Sequence, residues 1–166
     1  MTDNDGAGEA FYRLPSTVRQ SQIILDSFER LLCRPLIART QDAVRDAEAL
    51  WQAPFAVLSH GTEVDPILNY GNAVTLQLWQ MPLAQMLATP SRLTAEPMAR
   101  EARDKLMSEV LRTGFMTGYS GVRIAATGRR FRIENVTIWN LAQPDGSFAG
   151  QAAMFDKWSD LQPQSV

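Results

Sequence analysis

Apolar residues in the first third of the chain recur at the spacing of amphipathic helices. This spacing predicts a helix over residues 16–32, which ends before Pro35. Its apolar face consists of Ile24, Leu25, Phe28, Leu31 and Leu32. A second helix is predicted to begin after an N-cap at Thr40 and to end before Pro54. We therefore expect a helical cap over residues 15–53, preceded by a polar segment at 1–14 that is disordered or loosely attached.

The middle of the chain combines short strands with helices. Apolar runs at residues 55–59 and 67–70 predict two strands, and residues 73–81 and 83–87 predict two short helices. A longer helix is predicted to start at Pro97, because proline suits the first helical turn, and to end at Gly114. Its expected buried face consists of Met98, Ala102, Leu106, Val110 and Leu111.

The last third of the chain alternates apolar and polar residues, as β-strands do. Turn residues at 127–128 and 144–146 separate three predicted strands. The apolar positions change parity between Ile133 and Val136, so we predict a β-bulge at Glu134–Asn135. The resulting order, β-β-α-α-α-β-β-β, predicts an α+β, PAS-like fold. In that fold a five-stranded antiparallel sheet carries helices on one face, and the N-terminal helical cap precedes it.

Several motifs resemble the MEKHLA domain family. They are Ser59-His60-Gly61-Thr62-Glu63, Asp65-Pro66-Ile67, Asn69-Tyr70-Gly71-Asn72, Trp79, residues 90–97, Gly128-Arg129-Arg130-Phe131, Trp139-Asn140 and Gly150-Gln151-Ala152-Ala153. The family is PAS-like, and it occurs as stand-alone bacterial proteins and as the C-terminal domain of plant class III homeodomain leucine-zipper transcription factors. The resemblance therefore implies a PAS-like MEKHLA domain, here at residues 54–160, with a sensory role.

The chain departs from the plant pattern in two respects. It lacks the literal Met-Glu-Lys-His-Leu-Ala string, and no DNA-binding or other output domain is recognisable in it. The sensing role implied by the resemblance is therefore retained as an expectation, while the plant regulatory role is not.

Composition narrows the classes of function. The chain has 166 residues and a net charge of −2, which fits one domain and argues against a nucleic-acid binder. Its single cysteine, Cys33, rules out an intrachain disulfide. The N-terminus is polar, and no apolar run approaches the roughly 20 residues of a membrane span. We expect a cytoplasmic protein without nucleic-acid or membrane partners.

Polar and aromatic side chains are expected to line a pocket between the sheet and the helices that follow Asn72. The candidate ligand-binding residues are His60, Asn69, Asn72, Trp79, Arg92, Arg123, Trp139 and Gln151. Each polar residue can instead serve as a helix cap or a backbone partner, and each tryptophan can simply fill the core. The sequence does not identify the ligand.

No metal, haem or covalently bound flavin is expected. The predicted helix that starts at Pro97 has no histidine for a haem iron, and residues 69–86 have no cysteine for a flavin adduct. Glu63 and Asp65 are two acids close in sequence, but no further metal ligands lie near them. Any other cofactor is unknown.

Three kinds of function remain open. The first is a small-molecule sensor that signals through protein–protein contacts, and the second is a PAS-like interaction module with a filled core. An acid–base enzyme that uses His60 with Glu63 or Glu134 is a third alternative. We also expect a homodimer joined through the 16–32 helix, whose apolar face is broad, although that face can instead fold back onto its own domain.

Overall fold

The computed structural model describes residues 4–162 of the chain. Within this range the helices are α1 (Asn4–Arg13), α2 (Pro15–Leu32), α3 (Ala43–Trp51), α4 (Ala73–Trp79), α5 (Leu83–Met86), a 3-10 helix (Ser91–Thr94) and α6 (Pro97–Thr113). The strands are β1 (Ala56–His60), β2 (Leu68–Gly71), β3 (Phe115–Ile124), β4 (Arg130–Ala142), β5 (Phe148–Phe155) and β6 (Lys157–Asp160). None of these helices is long and apolar enough to cross a membrane.

The strands form one antiparallel sheet in the order β2-β1-β5-β4-β3. This arrangement confirms the predicted α+β, PAS-like fold with its central antiparallel sheet. The strand expected over 148–158 is interrupted at Asp156, so the sheet has a sixth strand, β6. β6 continues along β4, where Ile133 lies opposite Trp158.

The predicted bulge in β4 is confirmed. Tyr119 lies opposite Val136 and Gly121 opposite Ile133. A step of two residues along β3 therefore matches a step of three residues along β4, which has one extra residue. Asn135 takes the extra position with a φ of 53°. The insertion accounts for the change of parity in the sequence, because Ile133 and Val136 now point to the same face of the sheet and line the same cavity.

Helices cover both faces of the sheet. Along β4, Ile138 faces the side of α4 and α6, where it lines a cavity together with Trp79 and Met107. Trp139 points the opposite way, because successive side chains of a strand alternate between faces. Its ring packs edge-on against Phe28 of α2 at 5.0 Å, so the N-terminal cap covers the face opposite the cavity.

The N-terminal segment differs from the sequence expectation. Residues 1–14 were expected to be loose, but residues 4–13 form α1. Phe11 and Tyr12 are buried, and the Phe11 ring lies 5.5 Å from that of Trp51 in an edge-on contact. Two aromatic anchors therefore stabilise a segment whose overall composition is polar. Residues 1–3 lie outside the described part of the chain.

The apolar face of α2 turns inward. Ile24, Leu25 and Phe28 are each 0% exposed, while Leu31 and Leu32 are half-buried. The structure thus follows the alternative in which this face covers its own domain. The homodimer stays a prediction, but an exposed apolar face on α2 no longer supports it.

The cap differs from expectation at the start of its second predicted helix. Asp42, not Thr40, is the N-cap of α3, and its side chain accepts hydrogen bonds from the backbone N–H groups of Val44 and Arg45 at 3.0 and 3.2 Å. Cys33 is exposed and ends α2 in a left-handed conformation with a φ of 57°.

Candidate functional site

A cavity of about 40 Å³ lies between the sheet and the helices α4 and α6, close to the 3-10 helix. Its apolar wall is formed by Leu58, Leu68, Trp79, Met107, Ile133, Val136, Ile138 and Phe155. A single buried water needs roughly 10–15 Å³ of such space, so the cavity has room for only a few small atoms. Seven buried polar residues also line it: the hydroxyl residues Ser59, Ser91 and Thr94, and the larger side chains His60, Arg103, Arg123 and Gln151.

His60 and Gln151 face each other across β1 and β5, where the register pairs them directly. The strands approach closely beside this pair, since a Cβ built on Gly150 would lie 2.0 Å from the carbonyl oxygen of His60. The Nδ1–H group of His60 donates to the carbonyl of Gly61 at 2.9 Å. That bond leaves Nε2 as the acceptor of the neutral ring.

Burial lowers the pKa of His60 below its ordinary value. The hydrogen bond to Gly61 opposes this effect, and the positive charge of Arg103 adds to it. The imidazole is therefore held in its neutral form at neutral pH, as an uncharged group in the cavity wall.

Gln151 connects the sheet to α6. Its Nε2 group donates to the carbonyl of Met107 at 3.0 Å and to Oδ1 of Asn140 at 3.1 Å. Both amide N–H groups of Gln151 are thus in use, and the side chain is held in one orientation beside the cavity.

Arg103 reaches the cavity from α6 and is only 6% exposed. It donates a hydrogen bond to Oγ of Ser91 in the 3-10 helix. Its Nη1 atom lies 3.5 Å from Oδ1 of Asp104, a carboxylate whose side chain is 70% exposed. Burial lowers the pKa of the Arg103 guanidinium, and the positive charge of Arg123 lowers it further.

Arg123 reaches the cavity from β3 and is 5% exposed. Its guanidinium lies over the ring of Tyr119, with Cζ 5.5 Å from the ring centre. It donates to the carbonyl of Val122 at 2.9 Å and to the hydroxyl of Tyr119 at 3.4 Å. The site therefore brings two cations together in a largely apolar cavity.

Four of the eight predicted pocket residues, namely His60, Trp79, Arg123 and Gln151, line this cavity. The other four do not. Asn72 is a framework residue, and its Oδ1 atom accepts from the backbone N–H of Val57 at 3.1 Å and from the hydroxyl of Thr75 at 2.8 Å. It is the N-cap of α4, which is the alternative that the sequence left open.

Asn69, Arg92 and Trp139 also lie away from the cavity. Asn69 accepts a hydrogen bond from Ser59 at 2.6 Å, and Arg92 pairs at 3.2 Å with Asp65 on the exposed surface. Trp139 donates from its indole nitrogen to the carbonyl of Ile24 at 3.3 Å, on the opposite face of the sheet. A ligand role for these three side chains has no support from the cavity geometry.

The sequence did not single out Arg103. The predicted buried face of α6 included Ala102 and Leu111, but both are exposed. Leu106 and Val110 are buried as expected, and Arg103 shares their face at the spacing of one and two helical turns. An arginine three residues before a buried leucine was the available signal, although arginine is usually a surface residue.

The arrangement is poorly suited to acid–base catalysis. Glu63 is exposed and accepts from the backbone N–H of Ile67 at 3.2 Å, and the exposed Glu134 lies 3.9 Å from Arg132. The hydrogen-bond partner of the His60 ring is a carbonyl, so neither acid orients the imidazole. Among the described residues, no three His, Cys, Asp or Glu side chains are grouped as metal ligands.

A second hollow, of about 640 Å³, is an open groove between the start of α2 and the β4–β5 turn. Ser16, Arg19 and Asp26 on its rim are exposed. The polar residues that line it are exposed or only half-buried, whereas those of the smaller cavity are buried, so we regard the smaller one as the candidate site.

Comparison with known proteins supports this description of the fold. The MEKHLA domain family matches residues 18–160 of the chain. None of the curated proteins matches it.

Solved structures with the same fold are PAS and light-oxygen-voltage domains. A PAS domain of a protein from Colwellia psychrerythraea has a TM-score of 0.59 at 17% identity and covers 70% of this chain and 94% of its own. A light-oxygen-voltage domain studied with a flavin analogue has a TM-score of 0.56 at 17% identity, over 70% of this chain and 84% of its own. A third structure is the PAS domain of a LuxR-family transcriptional regulator from Burkholderia thailandensis in complex with ethanol. It has a TM-score of 0.51 at 17% identity and covers 69% of this chain and 95% of its own.

Proposed function

The chain belongs to the MEKHLA domain family, a PAS-like sensory family, and we propose that it binds a small molecule in the cavity between its sheet and α6 and signals through protein–protein contacts. The observation that carries this proposal is the convergence of two arginines, a histidine and a glutamine, all buried, on a largely apolar cavity. Convergent polar groups in an apolar hollow are typical of ligand sites, whereas a purely structural core avoids buried charge.

The size of the cavity limits the ligand to a few heavy atoms. At about 40 Å³ it is far below the roughly 300–1,000 Å³ of sites for drug-sized ligands. The PAS domain of the Burkholderia thailandensis regulator was solved with ethanol, which is a molecule of this small class. A flavin or a haem does not fit the cavity as it stands.

The small volume also favours a second candidate, a ligand-free interaction module whose core is nearly filled. Native mass spectrometry of the purified protein separates the two. A retained small-molecule mass supports the sensor, and an empty protein that gains no thermal stability from any member of a broad metabolite set supports the module.

A cavity-filling variant locates the binding. Ala153 lines the cavity, so Ala153→Leu is expected to occupy its free volume and to abolish the thermal stabilisation by any hit. Ala126 is exposed, and Ala126→Leu is the matched control that should leave the stabilisation unchanged. Equal binding of the hit by both variants would place it outside the cavity and contradict the proposal.

A further inference from the structure

The two arginines of the cavity lack buried negative partners. Among residues 4–162, the ion pair that involves either of them is the 3.5 Å contact between Arg103 and the exposed carboxylate of Asp104. Asp65, the next acid whose charge reaches Arg103, is exposed and already paired with Arg92. Within residues 4–162, the acids whose charges reach Arg103 are Asp104 and Asp65, and both are exposed, so the two cations occupy a low-dielectric space without a buried counter-charge.

Hydrogen bonds leave most of the guanidinium N–H groups free. Each guanidinium has five such donors. Arg103 uses one with Ser91, and Arg123 uses two, with Val122 and Tyr119. All three acceptors are neutral, so they satisfy donors without neutralising charge. A buried charge without a counter-charge is destabilising, and an anion in the cavity would remove that penalty.

We propose that the cavity, as the binding site of the sensory function proposed above, takes a small organic carboxylate whose oxygens are held by Arg103 and Arg123. The planar guanidinium presents paired N–H groups that match the two oxygens of a carboxylate. The neutral imidazole of His60 and the fixed amide of Gln151 are in the same wall and add no competing negative charge.

The apolar wall selects an organic anion. Leu58, Met107, Val136 and Ile138 offer no hydrogen bonds to the far side of a ligand, and they suit a short alkyl group. Inorganic phosphate is polar on every side, so the oxygens that face these residues would lack hydrogen-bond partners. The free volume is about three to four times the space that one water needs, so the shortest acids, with acetate first, should fit best.

The first test compares carboxylates with their uncharged amides on the wild-type protein. Acetate, propionate and butyrate are titrated against acetamide, propionamide and butyramide at constant ionic strength, with melting temperature and calorimetry as readouts. The carboxylates should raise the melting temperature and bind with a Kd of roughly 10 µM to 1 mM, as expected for ligands of this size. The amides should do neither.

Substitutions then assign the binding to the two arginines. Arg103→Gln and Arg123→Gln are each expected to weaken carboxylate binding at least about tenfold. Arg112 is exposed on the same helix as Arg103, and Arg112→Gln should bind like the wild type. Without ligand, the two cavity variants should melt no lower than the wild type, because a buried cation that lacks a buried counter-charge has been removed. Where a cavity variant does not fold, Ser91→Ala tests the same anchor. It removes the hydroxyl that positions the Arg103 guanidinium, so carboxylate binding should again be weaker than in the wild type.

The outcomes separate this inference from the function it rests on. Three results would overturn the assignment of a carboxylate ligand. They are equal stabilisation by the amides, stronger stabilisation by inorganic phosphate than by any carboxylate, and a loss of carboxylate binding in Arg112→Gln equal to that in the cavity variants. If an uncharged metabolite binds and Ala153→Leu abolishes that binding, the sensory pocket stands and the anion inference fails. If nothing binds and Ala153→Leu behaves like Ala126→Leu, both fail.

Discussion

The imidazole of His60 is sensitive to pH because of where β1 places it. It is the only histidine in the chain, and burial lowers its pKa. The charged groups that act on it are Arg103 on α6, which opposes its protonation, and Glu63 in the β1–β2 loop, which favours it. The ring also contacts Gln151 on β5.

We expect the stability of the protein to decline as the pH falls below about 6.5. The unfolded chain takes up a proton at His60 near that value, whereas the folded chain does so only at a lower pH. The free energy of unfolding should therefore decrease by at most about 1.4 kcal/mol per pH unit between the two pKa values. Urea unfolding at pH 7.5, 6.5 and 5.5 measures this, and His60→Gln should flatten the profile. An unchanged slope in that variant would assign the effect to other groups.

Asn72 should be among the most important polar side chains for stability. It is 0% exposed, its Oδ1 accepts three hydrogen bonds, and its Nδ2 donates to the carbonyls of Leu50 and Phe55 at 3.2 and 2.8 Å. Asn72→Ala removes the α4 cap and leaves buried groups unpaired, at a cost of about 2–4 kcal/mol. Asn69→Ala is the control, with an expected cost below about 1 kcal/mol. Equal costs in chemical denaturation would contradict the assignment.

The sequence alone could not separate framework residues from cavity residues. His60 and Asn72 both end a short apolar strand, but only the pairing of β1 with β5 places His60 opposite Gln151. The role of Asn72 was foreseeable as a cap, since it directly precedes a helical stretch. Arg103 was missed because burial of a charged side chain depends on tertiary contacts with Ser91 and the sheet.

At the scale of elements, local pattern was the better guide. The strand alternation, the turns and the bulge at Asn135 followed from neighbouring residues, and the structure confirms them. On α6 the predicted buried face was right at Leu106 and Val110, but it was wrong at Ala102, where an alanine was preferred to the neighbouring Arg103. α1 was missed because its two aromatic anchors are too few to outweigh its polar residues in a composition average.

The packing of α2 on the sheet makes a prediction about stability. Phe28 is completely buried and contacts Trp139 edge-on, so Phe28→Ala should lower the free energy of unfolding by about 3–5 kcal/mol. Leu14 is half exposed, and Leu14→Ala should cost less than about 1 kcal/mol. Urea denaturation measures both. A small effect of Phe28→Ala would mean that the cap does not fold with the sheet.

At the scale of the whole molecule, association remains a prediction. Phe28 lies inside its own domain, so a glutamate at that position would test folding and not dimerisation. The half-buried Leu32, in the last turn of α2, is the better probe. We expect a dimer of the wild-type chain in light scattering and a folded monomer of Leu32→Glu, with Val64→Glu as a surface control. A monomeric wild type would remove the prediction.

The sheet between the cavity and the cap is one backbone thick. His60 lines the cavity, while the hydroxyl of the preceding residue, Ser59, accepts a hydrogen bond at 3.2 Å from Gln20 of α2 on the other face. A single peptide unit therefore has the cavity on one side and the helical cap on the other. A rotation of β1 about its own axis that withdraws His60 from the cavity necessarily displaces Ser59 relative to α2. A movement at the cavity would therefore reach the helical cap directly through the backbone of β1, without a chain of intervening side chains.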